Sequence, residues 1–427
     1  MQAKVFLLCV SLCVAVQSAH GDDVYSALRR VYLDNPVIGA ARDAVNAAAA
    51  DVDRARTGYK PYLGVSASAG LARTEVLGTQ YDYVPTQIGA EFQQNIFQGF
   101  STVAQIKAAK ALLASTQAML YSTEQEVFLD AINAYINVLN ARRLLDLNQG
   151  NRRVLAEYYD FVSNRESVGA LTKTDVAQAS ARLDSARYGV IDAQTKYDNA
   201  LETFRRIYGT TEDDYREITT KNIGNVFPES VSEAQDYALK HHPALIALAA
   251  QEDAAKQDIT LARKTRLPSI DVRASLMQAD ELPILDRVRD GRVGVYLSVP
   301  LYDKGAAGAS VEKARFTVSG IHEQIVNARR VVIENLRGAW NIYQSQSSAI
   351  EAATAAVHAN EMALDGIRDE QERGRRTVLD VLNAEQELLN SRVALVRARH
   401  NQISAYFAVL AAMGRLDAQT LGLTYEQ

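Results

Sequence analysis

The feature that most constrains this chain of 427 residues is an internal repeat. The segment SVGALTKTDVAQASARL begins at Ser167, and ERGRRTVLDVLNAEQEL begins at Glu372. Each contains a Gly, then a Thr and an Asp-Val pair, and then continues with helical periodicity. Several pairs of landmarks keep an offset of 205 or 207 positions: Gly169 and Gly374, Asp175 and Asp380, Phe97 and Tyr302, Gly209 and Gly414, Pro36 and Pro243. A near-constant offset along the whole chain indicates a duplicated supersecondary unit.

The repeat predicts the boundaries of the segments. Residues 1–21 read as a signal peptide, residues 22–209 as the first repeat, 210–230 as a linker and 231–427 as the second repeat. We expect each repeat to contain a first helix of roughly 25 residues, then two strands, a very long helix, a turn and a returning helix. After the first helix, the elements of the first repeat are 62–74, 87–97, 101–165, 166–175 and 176–208, and those of the second are 269–278, 292–302, 306–372, 373–380 and 381–413.

The N-terminus predicts export from the cytoplasm. Lys4 precedes the apolar run Val5 to Val16, and small residues follow, as in a secretory signal peptide. The run is too short for a membrane anchor. The only cysteines, Cys9 and Cys13, lie inside this signal, so the mature chain has no thiol chemistry or disulfides. A net charge of −5 without a long basic tract argues against nucleic acid as a partner.

The predicted strands alternate between apolar and polar residues. In the first strand the apolar positions are Leu63, Val65, Ala67 and Ala69, and in the last they are Val293, Val295 and Leu297. Strands of about 9–11 residues cross a bilayer when they are tilted, although a soluble sheet packed on helices would alternate in the same way. Four strands cannot close a barrel, so a membrane barrel requires two chains with eight strands or three chains with twelve. The stretches between paired strands, including Tyr81 and Leu282, are then expected to be extracellular.

The returning helices carry a seven-residue period. The seam positions are Val176, Ala179, Leu183, Ala186, Val190, Ala193, Tyr197, Ala200, Phe204 and Ile207, and then Val381, Ala384, Leu388, Ser391, Leu395, Ala398, Gln402, Ala405, Val409 and Ala412. This pattern predicts coiled-coil packing against the long helices. The Gly-Thr-Asp turns then lie at the far end, where Gly169 and Gly374 can adopt positive φ, and Thr174, Asp175 or Asp380 can cap the next helix.

Two other motifs suggest chemistry but have simpler interpretations. His241-His242-Pro243 could bind a metal, but it aligns with Asn35-Pro36 in the repeat and therefore favours a helix cap. The glycines Gly305 and Gly308 lack the Lys-Ser/Thr of a phosphate loop and are typical of a strand–helix junction. No catalytic triad or metal motif and no cofactor site is indicated, so an exported enzyme is the least favoured class.

These segments together resemble the TolC-type outer-membrane channels, also called the outer-membrane factor or outer membrane efflux protein family. The resemblance rests on the two helix turns, Gly169-x-x-Thr172-x-x-Asp175-Val176 and Gly374-x-x-Thr377-x-x-Asp380-Val381, and on Asn35-Pro36, Tyr62-Leu63 and Phe97-Gln98-Gly99. It implies a mainly α fold with a β-barrel contribution. A homotrimer would form a 12-stranded barrel in outer-membrane lipid and a periplasmic α-helical barrel.

The resemblance also implies a function and a gate. The trimer would be a passive exit duct for type I protein secretion, drug efflux or both, spanning the outer membrane of a Gram-negative bacterium and extending into the periplasm. Asp380 would form a constriction ring with crowded carboxylates, and Arg376 would pair with Thr174 and Asp175. Asn383 stands where the family has a second acid, and Gln371 where it has an aromatic residue.

The same resemblance implies where partners dock. A periplasmic adaptor, followed by an inner-membrane transporter of ABC or RND type, would meet the tips of the helical barrel. The residues expected there are Gly169, Leu171, Thr172, Lys173, Gly374, Arg375 and Thr377. The alternative function, from another class, is a periplasmic coiled-coil structural protein without a pore.

Overall fold

A computed structural model describes residues 24–76, 78–210, 226–280 and 287–423. The predicted signal peptide, most of the predicted linker and Leu282 lie outside these ranges. The first repeat contains α1 (Val24–Asp34), α2 (Pro36–Arg56), β1 (Tyr62–Ala69), β2 (Ala72–Val76), β3 (Thr79–Tyr83), β4 (Thr86–Gln98), α3 (Ser101–Ser167) and α4 (Lys173–Tyr208). The second contains α5 (Val231–His241), α6 (Pro243–Arg263), β5 (Ser269–Asp280), β6 (Arg287–Ser298), α7 (Ala306–Glu372) and α8 (Val378–Ala412).

The equivalent helices α2 and α6 begin with the same kind of cap. The side chain of Asn35 accepts a hydrogen bond from the Val37 amide at 2.9 Å, and Nδ1 of His242 accepts one from the Ala244 amide at 3.2 Å. Burial lowers the pKa of His242, which favours the neutral ring that this acceptor role requires. The predicted capping role of His242 is therefore confirmed.

A tight left-handed junction joins each sheet segment to its long helix. Gly99 and Phe100 have φ of 56° and 64°, and the equivalent Lys304 and Gly305 have φ of 55° and 86°. In the second junction the Asp303 carboxylate accepts hydrogen bonds from the amides of Gly305 and Ala307 at 3.0 and 2.8 Å. The prediction of a strand–helix junction at Gly305 is confirmed.

The strands of both repeats form one antiparallel sheet in the order β1-β4-β5-β6. The first predicted strand, 62–74, is wrong as a single strand: β1 stops at Ala69, and after Gly70 and Leu71 the chain continues as the separate hairpin β2–β3. Tyr81, predicted to lie in a loop, is in β3. The predicted strand 292–302 is displaced to 287–298, since Pro300 has no amide to donate to a strand ladder.

The sheet has one apolar and one polar face. Leu63, Val65 and Ile88 lie on the apolar face with Leu276, Val293, Val295 and Leu297, and these side chains are 55–83% exposed. The opposite face carries charged residues that include Glu91, Arg273 and Arg292. Exposed aliphatic side chains on one whole face need an apolar surrounding, and the charges on the other need water.

The long helices form two coiled coils, α3 with α4 and α7 with α8. α3 and α7 each contain 67 residues, which corresponds to about 100 Å. None of the predicted seam residues of α4 and α8 is exposed, so the seven-residue pattern is confirmed. Among the residues that the structure describes, no helix is long and apolar enough to cross a membrane.

The largest hydrophobic core lies where the two coiled coils meet. Phe128 and Tyr135 of α3, Phe204 of α4 and Phe407 of α8 are fully buried there. Residues after α8, including Leu416, complete this core. The coiled coils run outward from it to their tips, so the tips are held at a fixed distance from the sheet.

Candidate functional site

The two helix tips have the same backbone. After α3, Gly169 has φ of 74°, and the Ala170 amide donates to the Arg165 carbonyl at 2.9 Å. After α7, Gly374 has φ of 75°, and the Arg375 amide donates to the Glu370 carbonyl at 2.8 Å. A glycine in the left-handed region ends each outgoing helix, as the sequence predicts.

A capping box then begins each returning helix. Thr172 and Thr377 are the N-caps, and Asp175 and Asp380 stand three residues later. Each aspartate accepts a bond from its threonine amide (3.0 and 2.9 Å) and from its hydroxyl (2.8 Å in both). The prediction that Thr174, Asp175 or Asp380 is the cap residue is therefore wrong. These aspartates are the reciprocal partners of the cap, because each returning helix begins three residues earlier than predicted.

The electrostatics of Asp380 follow from this box. Hydrogen bonds from the Thr377 amide and hydroxyl, together with the charge of Arg376, hold the pKa of Asp380 below its ordinary value. This lowering of the pKa is what one chain shows. Several Asp380 carboxylates crowded on an axis would repel one another and raise the pKa, and this effect stays a prediction.

The tips differ in surface chemistry although they share a backbone. At equivalent positions the first tip has Val168, Ala170 and Leu171, and the second has Arg373, Arg375 and Arg376. Val168 is 77% exposed, and Leu171 is half-buried against the α3–α4 core. The other residues expected to dock a partner, Gly169, Thr172, Lys173, Gly374, Arg375 and Thr377, are all exposed.

Within one chain, Arg376 is held by a residue other than the predicted ones. Its Nε donates to Glu370 Oε2 at 2.8 Å, at the end of its own hairpin. The Asp175 carboxylate accepts a hydrogen bond from the Thr172 amide in its own capping box, and Thr174 is exposed. The structure therefore does not bring Arg376 to Thr174 or Asp175 inside the chain, and a pairing between neighbouring chains stays a prediction.

Asn383 takes part in a contact that sequence reasoning missed. Arg182 of α4 donates from Nη2 to Asn383 Oδ1 of α8 at 2.9 Å, and the two residues are 201 positions apart. The bond links the two coiled coils near their tips. The Arg182 guanidinium is thus bonded to Asn383, which stands at the position where the resemblance implies an acidic residue.

A second missed feature lies deeper between the tip helices. Glu385 of α8 is 8% exposed and forms an ion pair with Arg368 of α7. Tyr158 of α3 packs against the clusters of both coiled coils, and its hydroxyl is buried without a partner among the described residues. Burial, with smaller contributions from nearby charges, raises the pKa of Tyr158 to about 12. In the sequence, Glu385 directly follows the seam residue Ala384, and this position beside the seam could have predicted its burial.

Taken together, the tips combine rigid turns with polar contacts that hold helices side by side. Buried apolar side chains, Val378 and Leu382 of α8, also pack against α3 and α4 at this end, beside the polar contacts Arg182–Asn383 and Arg368–Glu385. The residues at the turns are exposed and chemically distinct.

The comparisons with known proteins agree with this architecture. The family model described as "Outer membrane efflux protein" matches residues 27–210 and 235–415. Outer membrane efflux protein BepC of Brucella suis is 28% identical, covering 100% of this chain and 95% of that protein. Outer membrane protein TolC of Escherichia coli is 26% identical, covering 97% and 87%.

A protein named for secretion and a solved channel are also similar. Alkaline protease secretion protein AprF of Pseudomonas aeruginosa is 26% identical over 74% of this chain and 66% of its own length. The crystal structure of the Campylobacter jejuni CmeC outer membrane channel superposes with a TM-score of 0.81 at 16% identity, covering 97% of this chain and 94% of that one. That likeness concerns the fold alone.

Proposed function

Because this chain belongs to the outer membrane efflux protein family, we propose that it is the outer-membrane exit duct of a tripartite export system. The protein lies in the outer membrane, extends into the periplasm and passes substrate outward without consuming energy itself. One observation carries the proposal: a sheet with an exposed apolar face is joined, in a single chain, to paired helices about 100 Å long. A coiled-coil structural protein without a pore would not explain why that face of the sheet is apolar and exposed.

The assembly follows from the open edges of the sheet. Among the described residues, β1 and β6 each pair with one strand of the sheet, so each has an open edge there. Such edges are not tolerated in lipid, where every backbone group needs a partner. A homotrimer joins β6 of one chain to β1 of the next and closes twelve strands into a barrel, with the coiled coils as a helical tube beneath it.

The tips then form the periplasmic entrance. Asp380 and Asn383 would line the constriction, with Arg376, Asp175 and Thr174 as links between neighbouring coiled coils. A periplasmic adaptor would dock on the exposed turns around Gly169 and Gly374, and an ABC or RND transporter would supply the substrate. The names of BepC and AprF support efflux and protein secretion as the two forms of export.

The proposal is tested on the purified full-length protein in detergent and in planar lipid bilayers. We expect migration on gels that changes on heating, as a barrel-containing trimer gives, and discrete single-channel conductance. A well-folded preparation that remains a single-chain monomer and conducts no ions would contradict the duct and support the poreless scaffold.

A further inference from the structure

The apolar face of the sheet contains a groove on its outer half. Val65 of β1, Ile88 of β4 and Leu276 of β5 form its walls, and they are 75, 55 and 68% exposed. The groove has a volume of about 430 Å³. Gly291 of β6 lies opposite Leu276 in the ladder, and a Cβ at Gly291 would come within 3.2 Å of Leu276 Cδ2. The glycine therefore keeps space open where a larger residue would crowd the wall.

A polar network that contains two arginines and one aspartate borders this groove. Arg289 donates from Nε to Gln278 Oε1 at 3.1 Å, and Gln278 donates from Nε2 to Asp280 Oδ2 at 2.9 Å. Asp280 also forms an ion pair with Arg287. Arg287 thus pairs with the Asp280 carboxylate directly, whereas Arg289 is connected to it through Gln278. Arg289 is exposed and, among the described residues, is bonded to a neutral amide rather than to an acid.

The position of this network along the strand matches the outer edge of an apolar membrane band. On β6 the residues of the apolar face run Leu297, Val295, Val293, Gly291 and then Arg289. Leu297 lies near the helices, and Arg289 lies toward the end remote from them. Eight residues of strand correspond to about 26 Å, and tilt reduces the height to about 20 Å, close to the height of an outer-membrane apolar band.

We infer that this groove and Arg289 bind a phosphorylated, multiply acylated glycolipid of the outer leaflet. An acyl chain would lie against Val65, Ile88 and Leu276, and a headgroup phosphate would accept hydrogen bonds from the Nη groups of Arg289. A guanidinium suits phosphate because it offers parallel donors in a fixed plane. The groove lies on strands within one chain, so each subunit carries its own site.

The inference uses the outer-membrane location of the protein and is independent of its duct activity. The test titrates the full-length protein in detergent with purified bis-phosphorylated lipid A and counts bound lipids by native mass spectrometry. We expect one lipid per chain at saturation. Arg289→Gln should weaken binding about tenfold, as expected for loss of a charge-assisted hydrogen bond, and Arg289→Lys should weaken it less.

Matched controls separate this site from general attraction to the rim. Arg292→Gln removes a guanidinium from the same strand but the opposite face, where Arg292 pairs with Asp290 at 2.7 Å, and should leave binding unchanged. Dephosphorylated lipid A should bind wild type and Arg289→Gln equally weakly.

Equal binding of phosphorylated lipid by wild type and Arg289→Gln, or equal binding of phosphatidylglycerol and lipid A, would overturn the assignment. Conductance of Arg289→Gln should match wild type, so a lost lipid is distinguishable from a lost channel.

Discussion

At the scale of single residues, two tyrosines with buried hydroxyls differ in one hydrogen bond. Tyr208 is 7% exposed, and its hydroxyl donates to the Ala131 carbonyl at 2.9 Å. The Tyr158 hydroxyl is buried near the tips without a partner among the described residues. A buried polar group stabilises a protein only when it is bonded.

These two sites give a matched pair of substitutions. Tyr208→Phe should destabilise the protein by about 0.5–1.5 kcal/mol because a made hydrogen bond is lost. Tyr158→Phe should leave stability unchanged or raise it slightly, since it removes an unbonded group. Urea unfolding monitored by circular dichroism measures both. A larger loss for Tyr158→Phe than for Tyr208→Phe would show that Tyr158 has a partner, such as one from a neighbouring chain.

The capping box at Asp380 predicts that the stability of the first turn of α8 depends on pH. The folded-state pKa of Asp380 is below its ordinary value of 3.8. Its contribution is therefore present above that ordinary value and is lost as the pH falls through the folded pKa. Hydrogen exchange at the start of α8, corrected for intrinsic rates, should show less protection in acid. Asp380→Asn should reduce this pH dependence; the same acid response in that variant would exclude Asp380 as its source.

At the scale of elements, the coiled coils are held by seams and by a few polar pairs. The α7–α8 pair contains two ion pairs with different environments. Glu385 is 8% exposed and pairs with Arg368, whereas Arg392 and Glu361 pair at 2.8 Å with side chains 45 and 44% exposed. Removing one partner of a buried pair leaves a charge uncompensated, but an exposed pair contributes little.

We therefore expect Arg368→Ala to destabilise the tip by about 1–3 kcal/mol and Arg392→Ala by less than about 1 kcal/mol. Native-state hydrogen exchange in α7 and α8 measures the difference locally. Adding Glu385→Gln to Arg368→Ala should recover part of the loss, because the unpaired carboxylate is removed. Equal effects of the two arginine substitutions would show that burial of Glu385 has no energetic consequence.

At the scale of the whole molecule, contacts between coiled coils should set how wide the entrance opens. Arg182→Ala removes the bond to Asn383 within the chain, and Arg376→Ala removes the predicted link to a neighbouring chain. Each should raise single-channel conductance in planar bilayers because the helices are freer to separate. Arg187→Ala is the control, since Arg187 pairs with Asp184 on its own helix at 2.8 Å. Unchanged conductance in Arg182→Ala or Arg376→Ala would exclude that residue as a latch.

The constriction predicts a second property of the assembled channel. If Asp380 carboxylates from all chains meet on the axis, trivalent cations applied from the periplasmic side should block conductance. Asp380→Asn should weaken this block several-fold by removing the charge. Asp175→Asn, at the equivalent place of the other hairpin, should leave the block largely intact. Identical block in wild type and Asp380→Asn would place Asp380 outside the constriction.

Features that depend on local periodicity can be predicted from the amino-acid sequence without the fold. The repeat, the seam residues from Val176 to Ala412, the glycine turns and the cap at His242 follow from spacing along one helix or turn, and the structure has them. The cap at Thr172 was predicted two or three residues late, because Thr172, Thr174 and Asp175 are all good capping residues and only the geometry of the turn distinguishes them.

Contacts between distant segments could be identified only from the folded structure. Arg182 and Asn383 are 201 residues apart, and they meet because the two coiled coils converge at that height. The split of the first predicted strand into β1 and β2 and the groove beside Arg289 on the apolar face also depend on which strands pair and in which register. Periodicity specifies which side of an element is buried. It carries no information about the partner that covers that side, because many partners would bury it equally well.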